Sequence, residues 1–181
     1  MREQLIAAGR RLFAGKGFTA TATPEIVAEA GVTRGALYHH FADKTALFAA
    51  VFEAETRIVA AEIEAGSVGS ATARDALLSG ARAYFAAMRK PGRCRILLVD
   101  GPAALGPAEA QRIDALHAGR TLREGLDIAT STGAIRALPV EALSTVLSAA
   151  FDRAALDIAG GAEEEGFMAV FEALVDGLMP G

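Results

Sequence analysis

Residues 30–48, AGVTRGALYHHFADKTALF, gather Arg34, Gly35, Tyr38, His39, His40 and Lys44 into a short polar stretch between apolar runs. Arg34 carries a planar fork of donors that matches guanine O6 and N7, and the Thr33 hydroxyl can bond to a phosphate or a base. Gly35 and Ala36 are small enough to let a backbone approach a groove, and the Ala36 methyl can touch a thymine methyl. Tyr38 and His39 can donate to phosphates, which fixes register without reading sequence, and the Lys44 ammonium adds a cation near a helix start. Thr23, at the head of the preceding segment, can do the same. Metal binding by His39 and His40 is disfavoured, because adjacent residues on a helix face different directions and no cysteine or HxxxH spacing accompanies them.

The elements that would position these groups read as helices. Leu5, Ala8, Leu12 and Phe13 recur at helical spacing, and Gly15 and Gly17 are expected to end that first helix. A second begins with Thr23 as the expected N-cap and Pro24 at the first helical position, and Gly31 breaks it. Thr33 is the expected N-cap of a third, short helix that runs to about His40, with Leu37 and Phe41 turned back to a core. Two short helices joined through a glycine turn make a helix-turn-helix candidate, whose second helix enters the major groove. Asp43 caps a fourth helix expected to reach about Ala65, followed by the small-residue linker GSVGSATA.

Beyond the linker the pattern stays helical. Leu77, Leu78, Ala81, Tyr84, Phe85 and Met88 mark one helix, RCRILLVDGPAALG reads as a short buried helix stopped by Gly101 and Pro102, and another is expected from about Pro107 to Thr130. Two apolar helices close the chain, with Leu143, Val146 and Leu147 on one and Phe167, Val170, Phe171 and Leu174 on the other. Their breadth predicts a dimer interface as well as a core. No strand alternation stands out, so the expected fold is all-α with about nine helices, a head over residues 1–51 and a body over 52–181.

Composition sets limits on function. The 181 residues carry a formal charge of −4, but the head holds six bases against four acids, a net +2, which leaves −6 for the body. Cys94 is the single cysteine, so no intramolecular disulfide can form, as suits a reducing cytoplasm; beside ILLV it reads as packing rather than as a redox sensor. The N-terminal segment lacks the pattern of a signal peptide, and no run approaches the ~20 apolar residues of a membrane span. Catalysis is not expected. Only three histidines exist, two of them in the head, and no GxSxG or metal-ligand spacing appears. GPAALG lacks the lysine and hydroxyl residue of a phosphate loop.

Residues 5–51, LIAAGRRLFAGKGFTATATPEIVAEAGVTRGALYHHFADKTALFAAV, resemble the DNA-binding domain of the TetR family of transcriptional regulators, with GVTRGALYHHFADKTALF matching its signature almost position by position. RILLVDGPAALG and GAIRALPVEAL are similar to body segments of some members. The resemblance implies a homodimer that reads an inverted-repeat operator in double-stranded DNA, and a helical body that binds a small-molecule inducer and needs no other cofactor. It implies DNA contacts from Thr23, Thr33, Arg34, Gly35, Tyr38, His39 and Lys44. Two departures accompany it: no basic N-terminal arm is expected, and Ala36 stands where members often carry a hydroxyl, which shifts the reading of bases toward Arg34 and DNA shape.

An effector pocket in the body would draw on Phe85, Met88, Leu98, His117, Leu122 and Phe151, with Arg95, Asp100 and Asp152 as polar anchors. The competing reading is a helical protein-interaction module that does not bind DNA. Salt separates the two, because binding through phosphates weakens steeply with ionic strength.

Overall fold

The computed structural model describes residues 1–180, which contain helices and no strand. Ten α-helices follow in order: α1 (Arg2–Ala20), α2 (Thr23–Ala30), α3 (Arg34–His40), α4 (Lys44–Ser67), α5 (Ala73–Met88), α6 (Gly101–Leu105), α7 (Pro107–Leu116), α8 (Ala118–Ser131), α9 (Val140–Ala159) and α10 (Glu164–Leu178). A π-helical segment, Arg95–Asp100, leads directly into α6. The chain divides into two compact units, one of Met1–Thr56 with Pro91–Ile113 and one of Arg57–Lys90 with Asp114–Gly181.

In the first unit α1 does not stop at Gly15. At Gly17 helical geometry breaks, as expected, with a φ of 84° that suits glycine alone, and a last turn then reaches Ala20. The Asp100 carboxylate accepts the freed Phe18 N–H at 2.8 Å, and the Thr21 hydroxyl donates to Gly17 O at 2.7 Å. The start of α2 also differs from expectation. Ala22, not Thr23, is the N-cap, and Glu25 reaches back to accept the Ala22 N–H at 2.8 Å, so the Thr23 hydroxyl has no capping role. Gly31, at φ 65° and ψ 32°, ends α2 in a left-handed cap. Thr33 Oγ1 then accepts the Ala36 N–H at 3.1 Å to open α3, and Asp43 Oδ1 accepts the Ala46 N–H at 2.7 Å to open α4, both as expected.

Leu5, Leu37, Phe41, Leu47 and Val51 are buried in the core of this unit. Phe13, Phe18 and Phe48 pack edge to face or tilted, with centroids 5.0–5.9 Å apart. Glu55 of α4 is buried and accepts from Arg93 Nε at 2.9 Å and from Arg10 Nε of α1 at 3.3 Å. Gly101 and Pro102 were expected to stop a helix; instead they begin α6, where proline in the first turn gives up no hydrogen bond.

The second unit is built on aromatic packing. Phe151 of α9 stacks on Phe171 of α10 with centroids 4.1 Å apart, and Phe85 of α5 lies 5.8 Å from each. A second cluster joins Leu126, Ala129, Ile135 and Leu147, and the Arg136 N–H donates to Leu178 O at 2.8 Å.

The single helix expected over 107–130 is two. At His117 the backbone leaves helical geometry, with φ −130° and ψ −96°. Asp114 accounts for the break: its carbonyl accepts the His117 N–H at 2.9 Å, and its carboxylate accepts the N–H of Gly119 in the first turn of α8. Burial, with the Asp152 charge adding to it, pushes the Asp114 carboxyl up to about 6, and the Gly119 bond opposes that rise.

Because the folded value lies above the ordinary one, folding favours the protonated acid. That contribution is complete below about pH 4 and is lost as pH rises through about 6. Asp114→Asn keeps an acceptor for Gly119 and carries no charge. Its thermal midpoint is expected to exceed that of wild type at pH 7.5, by the equivalent of at most about 3 kcal/mol, and to match it at pH 4. Equal midpoints at both pH values would show that the buried charge costs nothing.

Candidate nucleic-acid interface

The local chemistry of α3 separates two faces. Leu37 is fully buried and Phe41 nearly so, which fixes the helix from behind. Thr33, Arg34, Gly35, Tyr38 and His39 are exposed, and Ala36 is half-buried. Tyr38 is 44% exposed, an unusual position for a large aromatic ring, and the Arg34 guanidinium lies 5.5 Å from its centroid. Among the described residues Arg34 has no carboxylate partner, whereas Arg11 pairs with Glu29 at 2.7 Å and Lys16 pairs with Glu25. The two acids of α2 are thereby engaged by α1, and the cation of α3 stays open.

Gly35 is informative for what it does not touch. A Cβ built there would meet nothing closer than Thr33 Oγ1 at 3.9 Å, an ordinary contact, so internal packing does not require glycine. His39 is exposed and His40 half-buried, and their rings meet edge to face with centroids 5.2 Å apart. Thr23 is half-buried in the first turn of α2.

Lys44 is not simply a surface cation. Its ammonium donates to Phe18 O at 2.8 Å and to Thr21 O at 3.0 Å, and it stands 4.2 Å from the centroid of Phe18. It therefore satisfies the carbonyls at the end of α1, which leaves one of its three N–H groups for an outside partner. The sequence signal for this second role is weak, because nothing in local spacing links residue 44 to residues 18 and 21.

The second unit contains an open-sided cavity of about 400 Å³. Of the residues expected to bind an effector, Leu122, Phe151 and Asp152 line it. Phe85 and Met88 are buried in the core instead, and His117 lies at the break between α7 and α8. Arg95, Leu98 and Asp100 belong to the first unit, where Asp100 holds the Phe18 N–H and Arg95 donates to Gly15 O at 3.4 Å. Sequence reasoning missed Asp114 and did not place Tyr84 in the wall: Tyr84 donates to Asp152 Oδ1 at 2.7 Å, and burial raises the Asp152 carboxyl against the lowering effect of that bond.

Of the residues expected at a dimer interface, Leu147 and Phe171 are buried inside the protomer by the two clusters above, and Leu143 and Phe167 are half-buried. Val146, Val170 and Leu174 are 65%, 57% and 46% exposed. No helix among the described residues is long and apolar enough to cross a membrane.

Comparison with known proteins agrees with this geometry. Residues 5–51 match the model of bacterial regulatory proteins of the tetR family, and residues 74–178 match that of the tetracyclin repressor-like C-terminal domain. Over 64 residues the chain is 42% identical to the HTH-type transcriptional regulator AcrR of Shigella flexneri, a match covering 35% of this chain and 30% of that protein. A TetR-family transcriptional regulator from Pectobacterium atrosepticum superposes with a TM-score of 0.78 at 29% identity, over 99% of this chain and 94% of the other. RolR, solved in complex with resorcinol, shares the fold with a TM-score of 0.77 at 18% identity, over 98% and 86% of the two chains. With family models covering head and body alike, the chain belongs to the tetR family of bacterial regulatory proteins, which are transcriptional regulators and not enzymes.

Proposed function

We propose that the chain is a homodimeric repressor that binds an inverted-repeat operator and is released by a small-molecule inducer. The observation that carries the reading is the first turn of α3. Arg34 without a carboxylate partner, Gly35 without a packing role and the exposed ring of Tyr38 share the outer side of a helix anchored by Leu37 and Phe41. In this reading Arg34 reads a guanine edge and Ala36 touches a base. Thr23, Thr33, Tyr38, His39 and the remaining N–H of Lys44 hold phosphates.

Val146 of α9 and Val170 and Leu174 of α10 expose apolar surface in a chain whose other large side chains are mostly covered, which supports pairing with a second copy through these helices, with Leu143 and Phe167 at its margin. Pairing would set two α3 helices about one DNA turn, ~34 Å, or a multiple of it, apart. The inducer would occupy the cavity of the second unit. RolR, a neighbour in fold, was solved with a small molecule bound. Helix α4 contributes to both units, from Lys44 at its start to Ile63, Glu64 and Ser67 on the cavity wall, so an occupied cavity can act on the head along one helix. A coupling of ~1–3 kcal/mol would lower operator affinity about 5- to 150-fold.

Selection of bound duplexes from a random pool tests the whole reading, because the recovered motif reports DNA binding, two-fold symmetry and half-site separation together. Recovery of no motif, with whatever binding remains insensitive to salt, would leave only a protein-interaction module.

On the selected operator, Arg34→Ala is expected to relax base preference at one position of each half-site, at ~1–3 kcal/mol, in competition binding against base-substituted duplexes. Lys44→Ala should weaken operator and random DNA about equally and also lower the thermal midpoint, since the carbonyls of Phe18 and Thr21 lose their donor. Identical losses of discrimination in both variants would reverse these assignments.

Gly35→Ala separates stability from binding. The added methyl has room and should stabilise α3 by about 0.5–1 kcal/mol, while anisotropy titration should show operator affinity at least about tenfold weaker. Unchanged affinity would mean that no base or phosphate approaches this backbone. Leu174→Glu is expected to yield monomers by light scattering, and an intact dimer would place the interface on other helices.

A further inference from the structure

We infer that the cavity of the second unit is built for an apolar molecule carrying a compact positive charge, such as a protonated amine, which it seats against Asp114 and Asp152. The inference rests on the reading of that unit as the effector-binding one and names the chemical class of the effector.

Among the described residues, the charged side chains that line the cavity are Glu64, Asp114, Glu124 and Asp152, and none of the lining residues is a lysine, arginine or histidine. Two of the four are already neutralised. Arg120 donates to Glu64 at 2.8 Å and to Glu124 at 2.7 Å. Among the described residues no cation pairs with Asp114 or Asp152. Their donors are the Gly119 N–H and the Tyr84 hydroxyl, both neutral, and Asp114 also feels the charge of Asp152.

The remaining wall is hydrocarbon from Ile63, Leu77, Leu122, Ile128 and Phe151. A buried carboxylate in such surroundings is costly unless a cation joins it, and burial accordingly raises both acids, Asp114 to about 6. A neutral guest would desolvate these groups further and return only hydrogen bonds. An anionic guest would meet charge of its own sign. A cation restores the lost solvation, and the rings of Tyr84 and Phe151, with centroids 5.8 Å apart, belong to the same wall. The volume of about 400 Å³ lies within the range of small-molecule sites.

Three probes of one shape test the inference on the full chain at pH 7.5 by calorimetry: 1-naphthylmethylamine, the neutral 1-naphthylmethanol and the anionic 1-naphthoate. The amine is expected to bind at least about tenfold tighter than the alcohol, and the carboxylate not at all. Asp152→Asn should remove most of the amine's advantage and leave the alcohol unchanged. Asp114→Asn, which keeps the cap on α8, provides the same comparison if the first variant does not fold. Equal or tighter binding of the alcohol or the carboxylate overturns the inference, as does binding of none of the three, or an amine preference that survives both substitutions. Operator affinity measured on the same samples keeps the two readings apart. Amine binding that leaves the operator complex intact supports the assignment of the cavity and removes release by an effector, whereas loss of amine preference with operator binding retained removes the cavity assignment alone.

Discussion

The first unit depends on a buried charge. Glu55 sits inside the protein on α4 and is held by two guanidiniums, that of Arg10 from α1 and that of Arg93 from the segment after α5. A carboxylate so placed is tolerable only with both partners present, and removing one partner of a buried pair typically costs about 3–5 kcal/mol. The arrangement fixes more than two helices. Arg10 also donates to Pro91 O at 3.2 Å, Arg95 donates to Gly15 O, and Asp100 takes the Phe18 N–H at the kink of α1, so residues 91–113 are bound to α1 at three separate places. Those bonds fix the frame in which the aromatic trio of Phe13, Phe18 and Phe48 packs and against which α3 rests.

The orientation of α3 follows from that frame by simple exclusion. Leu37 and Phe41 have one apolar volume to fill, and filling it turns the residues of the first turn outward. The charges around them are sorted in the same sense: Arg11 and Lys16 engage Glu29 and Glu25, Lys44 engages the end of α1, and Arg34 is left without an acid. An exposed tyrosine under an unpaired arginine contributes little to folding, and a helical glycine with open space around it weakens the helix. Local features that fail to serve stability are where a functional surface is expected.

Much of this head was legible in the sequence because its signals are local. The caps at Thr33 and Asp43, the break at Gly31 and the burial of Leu37 and Phe41 each depend on residues within a few positions of one another. The misreadings share the opposite property. Thr23 looked like a cap until Glu25 took the Ala22 N–H, and although Gly17 interrupts α1 with the positive φ expected of it, the carboxylate that lets one more turn follow, Asp100, lies 82 residues away. Arg95, Leu98 and Asp100 read as pocket residues from their place in the chain, but that segment is bound to α1 through contacts no periodicity reveals. Asp114 was invisible for a related reason. A single aspartate in a polar helical run gives no sign that it ends one helix, begins the next and stands in the wall of a cavity.

The two units thus bury acids in contrasting ways, and the contrast separates scaffold from site. Glu55 has a cation for each carboxylate oxygen, so its charge is answered within the fold. Asp114 and Asp152 are half-buried, and among the described residues each has only a neutral donor and each is pushed toward protonation. A fold that needed these acids only for the helix cap and the tyrosine bond could use amides, which make the same bonds without a desolvated charge. Retaining ionisable groups beside an apolar cavity makes its empty state electrostatically incomplete, and a guest is favoured to the extent that it supplies the missing charge.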